Sequence, residues 1–171
     1  MIRVVGIDPG SRITGFGIID CEGNHLRHVD HGAIQAGDGE LGERLRRIFS
    51  ELGAAIDRHA PAEAAIERVF MNKNADSAIK LGQARGVAIV AASLQDVAVH
   101  EYSANQIKQA LVGRGHATKT QIQHMVKILL NLRETPQADA ADALAVAVCH
   151  AHTRASLQRI PGRTSRAGRV S

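Results

Sequence analysis

The chain has 171 residues, 44% of them hydrophobic, and a net charge of +4. That length and apolar content suit a single domain with a sizeable core. No run approaches the ~20 apolar residues of a membrane span, and the first residues lead straight into a strand, so neither a membrane anchor nor a signal peptide is expected. Cys21 and Cys149 match no metal-ligand spacing, which fits a reduced, cytoplasmic protein.

Val4-Val5-Gly6-Ile7 is an apolar run that ends on Asp8, and Pro9-Gly10 follows at once. Apolar residues resume from Ile13 to Ile19. The pattern predicts a buried strand, a tight turn and a second strand, with Asp8 held at the lip of the sheet. Gly10 is the residue there that can take a positive φ. A third, partly exposed strand covers His25 to Ile34, and Gly37-Asp38-Gly39 marks a loop. Leu41, Leu45, Ile48, Leu52 and Ile56 then recur at helical spacing. Pro61 restarts the chain, and Ala62 to Glu67 forms a short strand that again closes on an acid. Asn74 is placed to cap a long helix reaching about Leu94. Val97 to Glu101 supplies a fifth strand.

Ser103 with Gln106, and Thr118 with Gln121, have the spacing of capping boxes and open two further helices. The last helix runs from Ala138 to about Thr153. Residues 1–154 therefore form one domain, and residues 155–171, arginine-rich and without apolar periodicity, read as a disordered basic tail. The order β-β-β-α-β-α-β-α-α-α fits an α/β fold: a five-stranded mixed sheet flanked by helices.

Charge is laid out in blocks. Residues 1–67 carry 7 Lys/Arg against 11 Asp/Glu, whereas residues 68–133 carry 9 against 3. An acid-rich block beside a base-rich one suits a metal-bearing site next to a polyanion track, although a solvated surface produces the same count. Asp139 and Asp142 lie three apart, on one face of a helix otherwise made of Ala, Leu, Val and Cys up to His150. Helix N-termini favour acids, which accounts for Asp139. Asp142 falls where the helix reads as buried, and an unpaired buried carboxylate is costly unless a cation offsets it. With Asp8 and Glu67 at strand ends, four carboxylates are candidates for one oxygen-rich cluster. Hard oxygen donors favour Mg²⁺ or Mn²⁺ over zinc. Two such ions serve displacement at phosphorus. His150 and His152, at i and i+2, diverge on a helix and are not read as a ligand pair.

Ile7-Asp8-Pro9-Gly10-Ser11 with Thr14-Gly15, the stretch Ile66 to Ala75, Lys80 to Gly86, and Gln137 to Leu144 together resemble RuvC-type Holliday junction resolvases. The resemblance runs in order from the first strand to about His152. It implies a ribonuclease H-like fold and a homodimer that nicks two opposed strands of a four-way DNA junction using Mg²⁺. It further implies a role in recombination and repair, with the RuvA–RuvB branch-migration complex as partner. Asp8, Glu67, Asp139 and Asp142 would be its metal-binding catalytic acids. Phe70 would stack on or wedge a DNA base, and Lys108 and Lys119 would lie beside the scissile phosphate. Gly82 and Gly86, in a helix of many small residues, would lie at the dimer interface; packing on the sheet is the alternative reading of those glycines.

Three other functions compete with this one. An actin-like ATPase shares a phosphate loop after its first strand but needs two domains, more than 171 residues supply. A non-catalytic junction binder gives no reason for four convergent acids. A ribonuclease acting on RNA or RNA–DNA hybrid shares the site chemistry and is separated only by substrate.

Overall fold

The computed structural model describes residues 1–68, 74–113 and 117–158. Among these residues five strands form one sheet: β1 (Ile2–Asp8), β2 (Ile13–Glu22), β3 (His25–Gln35), β4 (Glu63–Glu67) and β5 (Ala98–Tyr102). The helices among the described residues are α1 (Leu41–His59), α2 (Ala75–Ser93), α3 (Ala104–Val112), α4 (Lys119–Leu129) and α5 (Ala138–Gln158). Strand order is β3-β2-β1-β4-β5. The β1–β2 and β2–β3 pairs are antiparallel, whereas β4 pairs in parallel with both β1 and β5. The five-stranded mixed sheet expected from the element order is the one observed, as is the ribonuclease H-like arrangement that the resemblance implied.

Alternation along β1 divides the core in two. Val4 points to the face covered by α3, α4 and α5, and Val5 and Ile7 point to the face covered by α1 and α2. Each large aliphatic side chain fully buried in these layers contributes about 1.5–3 kcal/mol. α5 is buried from Ala140 to Ala151 except at Asp142, because the sheet lies on one side of it and α3 and α4 on the other. An all-round apolar helix belongs in such an interior.

Glycines set how deeply α5 sinks. Gly6 and Gly17 are paired across β1 and β2, and Gly15 pairs with Asp8. A Cβ on Gly6 would stand 2.1 Å from the Ala143 carbonyl oxygen, one on Gly15 2.0 Å from the Asp139 carbonyl oxygen, and one on Gly17 2.6 Å from Leu144. Only bare backbone at these positions allows the helix to lie directly on the strands.

The capping signals operate as expected. Asn74 accepts hydrogen bonds from the Asp76 and Ser77 amides, and Ser103 and Thr118 each complete a capping box with Gln106 and Gln121. One boundary differs from expectation. α5 continues through Gln158 with Ala155 buried, so residues 155–158 belong to the helix rather than to a tail. Ala155 prolongs the apolar packing that ends the pattern of Ala151, and a single buried alanine gives little periodic signal. Residues 159–171 and Phe70 lie outside the described residues.

Candidate active site

Asp8 is the last residue of β1 and Glu67 the last of β4. The two strands are parallel neighbours with Ile7 beside Ile66, so their closing acids emerge together at one end of the sheet. α5 begins above the same end, carrying Asp139 in its first turn and Asp142 three residues later. All four side chains are part-buried. The structure thus brings together the four acids singled out in the sequence.

Their electrostatics record the convergence. Burial, and then repulsion from Asp142, Glu67 and Asp139, pushes the Asp8 carboxyl up to about 8. Glu67 is raised by burial and by Asp142, against the pull of Lys108 and Lys119. Asp142 is raised by burial, with Lys119 the largest opposing influence. Such shifts are the expected response of carboxylates that share one poorly solvated region. Clustered perturbed acids at a strand end are a mark of a functional site.

Lys119 opens α4, and its Nζ stands 3.6 Å from Asp142 Oδ2 while the side chain remains 83% exposed. An ammonium so exposed is free to turn toward an incoming anion. Lys108, on α3, acts on Glu67 and Asp142 from the same side. No three of the four acids hold oxygens mutually within 4.8 Å; among the described residues only Glu63, His100 and His150 reach that spacing. The acids therefore fringe the sheet end and do not close on a single point.

Neighbouring groups hold this arrangement. The buried Thr14 hydroxyl donates to the Gly10 carbonyl oxygen (3.0 Å) and accepts from the Gly10 amide (3.3 Å), locking the turn after Asp8. Gly10 does not adopt a positive φ. Glycine is required because a Cβ would lie 1.9 Å from the Ile13 carbonyl oxygen. Arg85, on α2, donates from Nε to the Glu67 carbonyl oxygen (3.2 Å) and pairs with Glu101 (2.7 Å), which also engages Arg68 (3.3 Å). Sequence patterns assign Thr14, Gly15 and Arg85 no role of their own. Their only signal is position, within the same segments that carry Asp8 and precede the Gly86 turn of helix.

Gly82 and Gly86 lie on the exposed side of α2, where an added Cβ would meet nothing within 4 Å, while Ala84 and Ala88 face the core. These two glycines are therefore not required for packing on the sheet. Around them Phe49, Ile79, Val90 and Leu94 are exposed apolar side chains on α1, α2 and the α2 end. No helix among the described residues is long and apolar enough to cross a membrane.

Known proteins of one family resemble this chain. The family model for crossover junction endodeoxyribonuclease RuvC matches residues 4–150. The crossover junction endodeoxyribonuclease RuvC of Shewanella amazonensis is 56% identical over 165 residues, covering 96% of this chain and 95% of that protein. RuvC of T. thermophilus, solved in complex with Holliday junction substrate, superposes with a TM-score of 0.86 at 34% identity, covering 91% of this chain and 96% of that one. The yeast mitochondrial Holliday junction resolvase shares the fold at a TM-score of 0.64 and 10% identity, covering 91% and 81%. A match that spans both strand-end acids and the helix bearing the other two places this chain in the RuvC crossover junction endodeoxyribonuclease family.

Proposed function

We propose that this protein resolves four-way DNA junctions by paired, symmetric nicks, with Asp8, Glu67, Asp139 and Asp142 as its catalytic acids. The observation that carries the reading is the meeting of these four carboxylates at one sheet end, flanked by Lys108 and Lys119. The junction substrate of the T. thermophilus relative supports the choice of DNA structure.

The donor set fits a hard divalent cation. All four groups offer oxygen, the setting raises the proton affinity of Asp8, Glu67 and Asp142, and Lys119 is the cation near Asp142 at 3.6 Å. Mg²⁺, two ions per site, with Mn²⁺ as a substitute, would be held by these carboxylates. When bound, Mg²⁺ supplies the Lewis acidity that makes water nucleophilic at neutral pH and offsets charge on the departing oxygen. The chain's own residues do the rest. Gly15 and Thr14 fix Asp8 relative to Asp139, and Arg85 anchors the end of β4. Lys108 and Lys119 attract the phosphate without reading sequence. Phe70 stacks on a base near the cut site.

A two-fold dimer matches a junction whose cut strands are themselves related by a two-fold axis. The exposed Gly82 and Gly86, with the apolar side chains around them, support α2 as the dimer face. Family membership supports RuvA and RuvB as partners in recombination and repair. The test is to incubate the protein with Mg²⁺ and, separately, a four-way junction, a linear duplex and an RNA–DNA hybrid. Symmetric nicks in the junction alone are expected. Cleavage of the hybrid without the junction would overturn the reading in favour of a ribonuclease.

A further inference from the structure

At the opposite end of β4 lies a second cluster of different chemistry. Glu63 opens the strand that Glu67 closes, so the two are separated by four residues, roughly 13 Å of strand. Glu63 and Ala65 share the face of the sheet that packs against α5, and His100 of β5 pairs with Ala65 in register. His150 of α5 descends onto this corner. One carboxylate oxygen of Glu63 and one imidazole nitrogen each of His100 and His150 lie within 4.8 Å of one another.

Two of the three groups are gripped from behind. The His150 ring is 4% exposed, with Nδ1 2.8 Å from the Tyr102 hydroxyl and Nε2 2.6 Å from Glu63 Oε2. The other Glu63 oxygen is engaged by Arg154. His100 is exposed at the outer strand, its ring centroid 4.7 Å from that of His150, and leaves the corner open to solvent. A buried histidine oriented through its far nitrogen, a carboxylate held by a second partner, and a third ligand at the entrance form the arrangement of a metal-binding corner. Two nitrogens and one oxygen suit zinc-class ions, which accept three protein ligands and keep a fourth position for water.

We propose that Glu63, His100 and His150 form a zinc-class divalent-cation site that ties β4, β5 and α5 together, separate from the oxygen-only acidic cluster. Binding replaces the His150–Glu63 hydrogen bond. Nε2 becomes a ligand, the ring hydrogen resides on Nδ1, and the Tyr102 oxygen accepts it, with no change in the proton count of the ring. Arg154 remains on the outer oxygen of Glu63.

The test is zinc titration of the untagged full chain by calorimetry, with thermal melts in zinc and in EDTA. Wild type is expected to bind one zinc per chain at micromolar affinity or tighter and to melt higher in zinc than in EDTA. His100→Ala, on the surface, and Glu63→Gln, which keeps side-chain shape, should each abolish both effects. Tyr102→Phe should weaken affinity about 10- to 100-fold. Asp142→Asn and His28→Ala should retain zinc binding, because the acidic cluster and the His28–His31 pair on β3 are not involved. Failure of the wild-type chain to bind zinc in this range would mean that Glu63, His150 and Arg154 are an ion-pair network and nothing more. Zinc binding that survives both His100→Ala and Glu63→Gln would overturn the site equally.

Discussion

Gly15→Ala is the most direct test of how the fold positions the chemistry. The added methyl carbon would sit 2.0 Å from the Asp139 carbonyl oxygen, 2.5 Å from its carbonyl carbon and 3.3 Å from the Ala140 nitrogen. Ordinary contact begins at 3.4 Å, so the first turn of α5 must lift by about 1.4 Å or β2 must sink by as much. Neither has slack. The neighbours are backbone atoms, Ala140 and Ala141 are buried, and Gly6 pins the same helix one turn later at the Ala143 carbonyl. Overpacking of this kind costs about 1–3 kcal/mol, and each kcal/mol lowers Tm by about 2–4 °C in a domain of this size. The kinetic effect should be larger in proportion, because Asp139 moves away from Asp8, and a misplacement of about 1 Å can cost about 100-fold in rate. The assay is single-turnover nicking of a four-way junction in Mg²⁺, with junction affinity in EDTA and a thermal melt on the same preparations. Gly23→Ala is the control. Gly23 has φ +59° with open space around it, so alanine there is strained by about 1–2 kcal/mol at a hairpin remote from the acids. Gly15→Ala should lose cutting while binding persists, and Gly23→Ala should lose stability alone. Wild-type nicking by Gly15→Ala, or equal losses in the two variants, would refute the argument.

Asp8→Asn should reduce nicking by orders of magnitude yet preserve or tighten junction binding in EDTA, since repulsion of DNA phosphates is relieved; binding lost in step with cutting would sink the assignment. The same substitution bears on stability. A carboxyl raised from 3.8 to about 8 contributes stability fully present below its unfolded value and lost as pH rises through the folded one, so Tm of the metal-free protein should decline between about pH 4 and pH 8. Asp8→Asn should flatten that decline in EDTA melts, and an unchanged slope would count against it. Lys119→Gln removes the largest influence holding Asp142 down, so the acidic limb of the pH–rate profile should move to higher pH, whereas a fixed limb would separate Lys119 from the site. Gly86→Leu adds bulk on an exposed face where nothing is met within 4 Å, so it should give a folded monomer in sedimentation; a folded dimer would place the interface elsewhere. Deleting residues 159–171 should reduce the salt dependence of junction binding by about 0.9 for each DNA phosphate that the segment neutralises, and an unaltered slope would show that the segment does not touch DNA.

Much of this protein was written in local pattern. The element order, the five strands, and the caps at Asn74, Ser103 and Thr118 depend on residues within a few positions of one another, and local rules determine them. The four acids stood out equally as candidates, since a carboxylate closing an apolar strand or interrupting an apolar helix conflicts with local preference. Such conflicts concentrate at functional sites. Tertiary structure alone decided the rest. That Gly15 lies beneath Asp139, and Gly10 against the Ile13 carbonyl, follows from close approaches that a lone glycine in a sequence does not announce. Whether Gly82 and Gly86 face the sheet or solvent depended on the rotation of α2, which Ala84 and Ala88 settled by occupying the core face. The corner of Glu63, His100 and His150 joins residues up to 87 positions apart. Its members sit on three elements that meet only when parallel pairing sets β4 beside β5 and the glycines of β1 and β2 let α5 settle onto the sheet. Pairing and close packing of this kind depend on the whole chain having collapsed, and no window of sequence contains them.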